Sequence, residues 1–160
     1  MFVLGIDPGL TTTGFGVIEH RSGTSRAVTA GVIRTDTDSP VAERLDELFR
    51  DIVDLIEEHQ PSVAAIEQVF VNRNLQTAIG VARASGVAIL AAARAGIPVY
   101  EYQPTAIKAA VTGDGRADKN QVQMMVQRRL KLADKVQPAD AADALAVAMC
   151  HLQSMAGARS

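Results

Sequence analysis

The sequence contains a single cysteine, Cys150, and no hydrophobic run long enough to suggest a membrane span. One cysteine cannot form an internal disulfide or, by itself, a thiolate metal site, so we predict that Cys150 is a packing residue. Arginine or glycine interrupts the longest apolar stretches before they reach the roughly 20 residues that cross a bilayer. The first residues, MFVLGIDPG, lack the positive charge that begins a secretory signal. We therefore expect a soluble, cytoplasmic protein without a membrane segment.

The chain also lacks the length for two catalytic lobes and the excess of positive charge found in many nucleic-acid-binding proteins. Its 160 residues, 48% of them hydrophobic, suffice for one core, and we predict one domain over 1–160. The net charge of −2 and the pI near 5.9 argue, as totals, against a nucleic-acid partner. The distribution is uneven, because residues 71–135 carry 10 basic and 4 acidic groups while residues 1–70 carry 5 and 12. The middle segment therefore has the charge to meet phosphates.

The spacing of hydrophobic residues predicts an α/β fold. Runs of β-branched or alternating residues predict five strands, the first three forming an antiparallel meander, and apolar residues at helical spacing predict five helices. The predicted strands are 2–6, 14–20, 26–34, 63–66 and 99–102. The predicted helices are 40–56 with Ser39 as N-cap, 75–95, 105–111, 119–132 and 138–151. Gly80 and Gly86 in the second helix indicate close packing, either against a core helix or against a partner subunit.

Four carboxylates stand where a purely structural role explains them poorly. Asp7 and Glu67 each follow a predicted buried strand; aspartate is a common turn residue, but glutamate is not. Asp140 and Asp143, three residues apart near a predicted helix start, share one helix face, where complementing the helix dipole is the alternative role. If the first and fourth strands are parallel neighbours, Asp7 and Glu67 lie side by side where α/β sheets bind ligands.

Four converging carboxylates would repel one another unless a cation neutralised them. A donor set of oxygen atoms, without histidine or thiolate, favours magnesium or manganese over zinc. Two such ions are suited to activating a water molecule and stabilising the leaving oxygen in an in-line phosphoryl displacement. The pattern therefore predicts phosphodiester hydrolysis.

Five segments together resemble the RuvC family of crossover-junction endodeoxyribonucleases. They are GIDPGLTTTGFGVIE at 5–19, AIEQVFVNRN at 65–74, ARASGVAILAA at 82–92, VTGDGRADKNQVQMMV at 111–126 and PADAADALAVA at 138–148. Each segment alone is a weak match, but five segments in the order found in the family make the resemblance specific. The resemblance implies a ribonuclease H-like fold with a five-stranded mixed sheet flanked by helices. It also implies a homodimer that resolves four-way Holliday junctions by paired symmetric nicks in homologous recombination and DNA repair, alongside a junction-migrating motor of the RuvA and RuvB type.

The resemblance also implies roles for individual residues. Four residues match the family's catalytic carboxylates, which would hold two Mg²⁺ ions, replaceable by Mn²⁺, in each active site: Asp7, Glu67, Asp140 and Asp143. The mechanism needs no histidine, and we interpret three histidines outside the motifs as surface or helix-end residues: His20, His59 and His151.

Seven residues in or near the matched motifs are predicted to contact DNA: Phe70, Asn72, Arg73, Asn74, Lys108, Arg116 and Lys119. Phe70 would be a costly exposed aromatic unless it stacked on a base, and packing in the core is its alternative role. Three of the seven, Lys108, Arg116 and Lys119, lie in or near the GDGRADK loop. The charges at Arg128, Arg129 and Lys131 are also consistent with a solvated helix face.

Other functions share part of this pattern. Actin-like and sugar-kinase phosphotransferases also begin with a Gly-x-Asp-x-Gly hairpin, but they need two lobes, and no GxxxxGK[ST] motif is present. A ribonuclease H-like nuclease acting on another nucleic acid, a silent junction binder and a non-enzymatic α/β module are further alternatives. The four carboxylates argue against the silent binder, because their proximity without a metal is unfavourable. The non-enzymatic module predicts that removing Asp7 changes nothing measurable.

Overall fold

The computed structural model describes residues 1–71 and 74–158, and this part of the chain forms five strands and five helices. The strands are β1 (Phe2–Asp7), β2 (Thr12–Arg21), β3 (Thr24–Arg34), β4 (Val63–Glu67) and β5 (Val99–Tyr102). The helices are α1 (Val41–His59), α2 (Leu75–Arg94), α3 (Pro104–Thr112), α4 (Lys119–Arg129) and α5 (Ala139–Gly157). The predicted α/β class is confirmed.

The strands form one mixed sheet in the order β3-β2-β1-β4-β5. β1, β2 and β3 pair antiparallel, as the predicted meander requires, whereas β4 is parallel to β1 and β5 is parallel to β4. The central strands β1 and β4 are buried on both faces, which is why each is a continuous apolar run. Because Ile6 pairs with Ile66, the residues that follow them, Asp7 and Glu67, end their strands side by side.

Helices cover both faces of this sheet. α3, α4 and α5 pack on one face, where Val3 of β1 joins Leu145 of α5 in the core. α1 and α2 pack on the other face, towards which the next residue of β1, Leu4, points. α5 approaches β1 so closely that a Cβ on Gly5 would lie 2.1 Å from the carbonyl oxygen of Ala144. Glycine at position 5 is therefore required by the packing of α5.

Most predicted elements differ from the structure by one to three residues at an end, and α5 differs by six at its end. Pro40, not Ser39, occupies the N-cap position of α1, and the Ser39 hydroxyl lies 3.5 Å from Oδ2 of Asp36. α4 ends at Arg129, and soon after it Lys131 adopts a left-handed φ of 54°, which ends the helical path. α5 extends to Gly157, well beyond the predicted end at 151.

The longer α5 changes the position of His151, whose interpretation as a surface or helix-end residue is wrong. His151 is 4% exposed, its Nδ1 forms a 2.7 Å hydrogen bond with the Tyr102 hydroxyl, and its ring centroid lies 4.8 Å from that of Tyr100. Burial lowers the pKa of this histidine. Cys150 is buried beside it, as predicted, and burial raises the pKa of its thiol to about 11, which makes it a poor nucleophile.

α2 has one face in the core and one face outside it. Ala84 and Ala88 are buried with the residues of α1, while by length and composition α2 is, among the described helices, the one that could cross a membrane. Helices in the core of soluble proteins can have this length and composition, and Ala84 and Ala88 of α2 do pack in the core. The two glycines of α2 differ, since a Cβ on Gly80 would lie 3.4 Å from Leu10, whereas one on Gly86 would meet nothing within 4 Å. A Cβ at Gly80 would make an ordinary van der Waals contact, so close packing within the protomer requires neither glycine.

Candidate active site

The ends of two parallel strands and the start of α5 bring four carboxylates together. Asp7 is the last residue of β1 and Glu67 is the last residue of β4. Asp140 and Asp143 lie at the beginning of α5, which crosses the sheet next to β2. This approach needs a glycine in β2, because a Cβ on Gly14 would lie 2.0 Å from the carbonyl oxygen of Asp140. The predicted convergence of the four carboxylates is therefore present in the structure.

We call these four residues the carboxylate cluster. Asp7, Asp140 and Asp143 each offer a carboxylate oxygen, and these atoms lie within 4.8 Å of one another. Glu67 is connected to them by a side-chain hydrogen bond with Asp7. All four side chains belong to half-buried residues, so they are reachable from solvent yet poorly hydrated. A compact set of oxygen donors with this exposure could hold a divalent metal ion.

The electrostatics of the cluster are those of a site that needs a cation. Burial, the hydrogen bond and charge of Glu67, and the charges of Asp143 and Asp140 together raise the pKa of Asp7 to about 9. Burial also raises the pKa of Asp143, although the ammonium of Lys119 opposes this shift. Without a cation, the cluster therefore retains a proton at neutral pH. A divalent ion that replaced this proton would relieve both the repulsion and the desolvation.

Lys119 forms an ion pair with one carboxylate of the cluster. Its Nζ lies 3.3 Å from Oδ2 of Asp143, and the lysine side chain is 70% exposed. The charge of Asp143 raises the pKa of Lys119, which therefore stays protonated. A capping box between Asp118 and Gln121 fixes the start of α4 and with it the position of Lys119. The lysine is thus placed to neutralise an anion at the edge of the cluster.

A cleft of about 200 Å³ opens next to these groups. Asp7, Glu67 and Asp143 line one part of it, and Lys108 and Lys119 line another. Carboxylates that attract a metal and ammonium groups that attract a phosphate therefore face the same small space. This combination fits a reaction on a phosphodiester better than one on an uncharged substrate.

Comparison with known proteins identifies the family. A family model described as "Crossover junction endodeoxyribonuclease RuvC" matches residues 3–151. The chain belongs to the RuvC family. The RuvC of Salinispora arenicola is 53% identical over 95% of this chain and 87% of its own length. The RuvC of Chloroflexus aggregans is 52% identical over 94% of this chain and 92% of its own length. The protein is thus a crossover junction endodeoxyribonuclease, as the motifs predict.

Solved RuvC structures have the same fold. Thermus thermophilus RuvC superposes with a TM-score of 0.90 at 34% identity, covering 99% of this chain and 97% of the other. T. thermophilus RuvC in complex with a Holliday junction substrate superposes with a TM-score of 0.93 at 34% identity, covering 99% and 96%. The yeast mitochondrial Holliday junction resolvase, at 14% identity and a TM-score of 0.69 over 98% of this chain and 81% of its own, shares the fold alone. The predicted ribonuclease H-like fold is confirmed.

The residues that the RuvC motifs predict to contact DNA occupy different settings. Phe70, just after β4, is 71% exposed, so the alternative of core packing is wrong. Asn74 is the N-cap of α2, where its Oδ1 accepts a hydrogen bond from the Thr77 amide. Arg116 is exposed in the loop between α3 and α4, outside the cleft. Two of the predicted residues, Asn72 and Arg73, lie outside the described residues.

The structure also reveals roles that the RuvC motifs do not indicate. Arg129, which the sequence allows on a solvated face, donates through Nη1 to the carbonyl oxygens of Ala110 and Val111 at the end of α3. Arg44 is buried, although the sequence gives it no role. A sequence signal for Arg44 exists, because it occupies the first position of the period-four row whose other members form the buried face of α1: Leu48, Ile52 and Ile56.

Proposed function

We propose that this RuvC-family nuclease resolves four-way Holliday junctions by paired symmetric nicks, in homologous recombination and DNA repair in the cytoplasm. The observation that carries the proposal is the carboxylate cluster at the ends of β1 and β4, beside a cleft lined by Lys108 and Lys119. The solved complex of T. thermophilus RuvC with a Holliday junction substrate supports the same substrate for this chain. Hydrolysis of a phosphodiester is the chemistry that such a site performs on DNA.

Mg²⁺ is the ion that we propose for the cluster, with two ions in each active site and Mn²⁺ as a substitute. The donor set fits, because it consists of carboxylate oxygens, and the raised pKa of Asp7 is consistent with a cluster that a cation would stabilise. When bound, the ions would lower the pKa of a water molecule and offset negative charge on the leaving oxygen. Asp7, Glu67, Asp140 and Asp143 would hold them.

The remaining residues of the site would bind and orient the DNA. Lys108 and Lys119 line the cleft and would meet the phosphates that flank the cleaved bond. Phe70 is exposed within three residues of Glu67 and would stack on a base opened at the junction. Arg116, on the loop between α3 and α4, would contact phosphates farther from the cleaved bond. Base stacking beside the metal site would hold the strand in register for cleavage.

A homodimer would place two such sites across a four-way junction, and the outer face of α2 supports this assembly. Exposed apolar or small residues recur along it at intervals of three or four: Leu75, Ile79, Ala82, Gly86, Leu90 and Ala93. Leu90 is 53% exposed, and Gly86 leaves room for a helix to approach. Packing this face on its copy about a two-fold axis would bury it and orient the sites for symmetric cuts. A motor of the RuvA and RuvB type would supply the migrating junction.

A cleavage assay tests the proposed function. The protein is incubated with a synthetic four-way junction, a linear duplex and an RNA–DNA hybrid, each with and without Mg²⁺. We expect paired nicks in the junction, only with Mg²⁺. We expect Glu67→Gln to bind the junction and not to cut it, and Glu101→Gln, which changes an exposed carboxylate on β5, to cut normally. Cleavage of the hybrid or the linear duplex instead would indicate another substrate, and full activity of Glu67→Gln would refute the site.

A further inference from the structure

Arg44 is a buried cation for which the described part of the chain offers no carboxylate partner. The residue is 8% exposed and lies on the face of α1 that is otherwise apolar. Among residues 1–71 and 74–158, the ion pairs are those of Arg26, Arg50, His59 and Lys119, so no carboxylate pairs with Arg44. Burying a guanidinium is unfavourable unless its donors are satisfied. Its hydrogen bonds therefore indicate what the residue does.

The guanidinium of Arg44 holds two threonines. Nε donates to the hydroxyl oxygen of Thr35 at 2.9 Å, and Nη2 donates to the hydroxyl oxygen of Thr11 at 3.1 Å. The Thr35 hydroxyl donates in turn to the carbonyl oxygen of Leu10 at 2.6 Å, and the Thr35 amide donates to the carbonyl oxygen of Thr11 at 3.1 Å. α1, the residue after β3 and the turn between β1 and β2 are thereby joined by one network.

The turn held by this network connects the carboxylate cluster to α2. It begins immediately after Asp7, and its Gly9 amide donates to the hydroxyl oxygen of Thr13 at 3.2 Å. On its other side Leu10 packs on α2, where a Cβ on Gly80 would lie 3.4 Å from the Cβ of Leu10. α2 begins shortly after Phe70 along the chain. A displacement of the turn would therefore change the distance between the cluster and the segment that bears Phe70.

We propose that Arg44 is a positioning residue for strand cleavage, acting by holding the turn between β1 and β2 through Thr11 and Thr35. This inference rests on the proposed function, because it concerns the alignment of the cluster with bound DNA. Arg44 does not line the cleft and acts on it through the turn, so we expect its loss to change the rate at which bound DNA is cut and the Mg²⁺ requirement, and to leave DNA affinity unchanged. The planar fork of arginine suits this task, since it reaches two hydroxyls at once.

The test compares Arg44→Met with Arg50→Met, which removes an arginine of the same helix that is 68% exposed and paired with Asp46. Junction affinity is measured without divalent ions, and the single-turnover cleavage rate is measured on saturating junction as Mg²⁺ is varied. We expect Arg44→Met to keep its affinity within about twofold, to lose about 10- to 100-fold in rate and to need more Mg²⁺ for half its maximal rate. Arg50→Met is expected to match the wild type.

Two further variants separate positioning from folding. Thr11→Val removes one partner of the network on an exposed residue, and Arg44→Lys keeps the charge but reaches a single hydroxyl. We expect both to slow cleavage of bound junction, and Thr11→Val to cause no further loss in the Arg44→Met background. Unchanged rates in Thr11→Val and Arg44→Lys, or weaker junction binding with normal cleavage of the bound fraction, would overturn the proposal. A wild-type protein that cuts no junction would instead refute the proposed function.

Discussion

Replacing Asp7 by asparagine should stabilise the metal-free protein even as it removes cleavage. The pKa of Asp7 is raised from its usual 3.8 to about 9, first by burial and then by its three acidic neighbours. A carboxyl group with a raised pKa in the folded state contributes stability below pH 4, and this stability is lost as the pH rises towards 9. At pH 7 the loss amounts to at most about 4 kcal/mol, and at pH 5 to less than about 2 kcal/mol. Asparagine keeps the shape of the protonated acid and avoids this loss.

Urea denaturation in EDTA at pH 5, 7 and 8.5 measures the effect, with Asp54→Asn on the exposed side of α1 as the control. The free energy of unfolding of Asp7→Asn should exceed that of the wild type increasingly as the pH rises, while Asp54→Asn should show no such trend. Adding Mg²⁺ should stabilise the wild type and narrow the gap, because the ion binds the folded state. If Asp7→Asn is no more stable than the wild type at pH 8.5, or if Mg²⁺ stabilises both equally, the electrostatic account of the cluster is refuted.

Three further substitutions test other parts of the molecule. Lys119→Ala should weaken junction binding. It should also reduce the slope of the logarithm of the binding constant against the logarithm of salt concentration by about 1, the value for one lost phosphate contact, as measured by fluorescence anisotropy. An unchanged slope would exclude a contact between Lys119 and a phosphate. Leu90→Glu should produce monomers in sedimentation, whereas Met124→Glu, at 52% exposure on α4, should not. Gly5→Ala should lower the free energy of unfolding in urea by about 1–3 kcal/mol or more, because its Cβ would meet the backbone of α5 2.1 Å away. A loss below about 1 kcal/mol would contradict the close packing.

The elements and the carboxylates could be predicted because their signals are local. β1 and β4 are buried runs that end in an acidic residue, so their ends mark the site without knowledge of any long-range contact. Asp140 and Asp143 share a helix face by their spacing alone. The end of α5 could not be predicted in this way, since the segment after His151 has little amphipathic pattern, and only the tertiary structure shows that Leu152 packs against the core.

Features that the sequence patterns did not predict depend on contacts between elements that are distant in sequence. Gly5 and Gly14 resemble ordinary strand glycines until α5 is placed against them, and only then does each become a position at which a side chain is excluded. The same is true of Arg44: its spacing in α1 indicates a buried position, but the local sequence does not predict that its hydrogen-bond partners are Thr11 and Thr35. A polar residue on an apolar helix face therefore predicts that a hydrogen-bond partner exists, but only the tertiary structure shows which residue it is. In this protein the partners are Thr11, in the turn that follows Asp7, and Thr35, which holds the same turn, so the requirement that buried donors be satisfied points to a residue that aligns the active site.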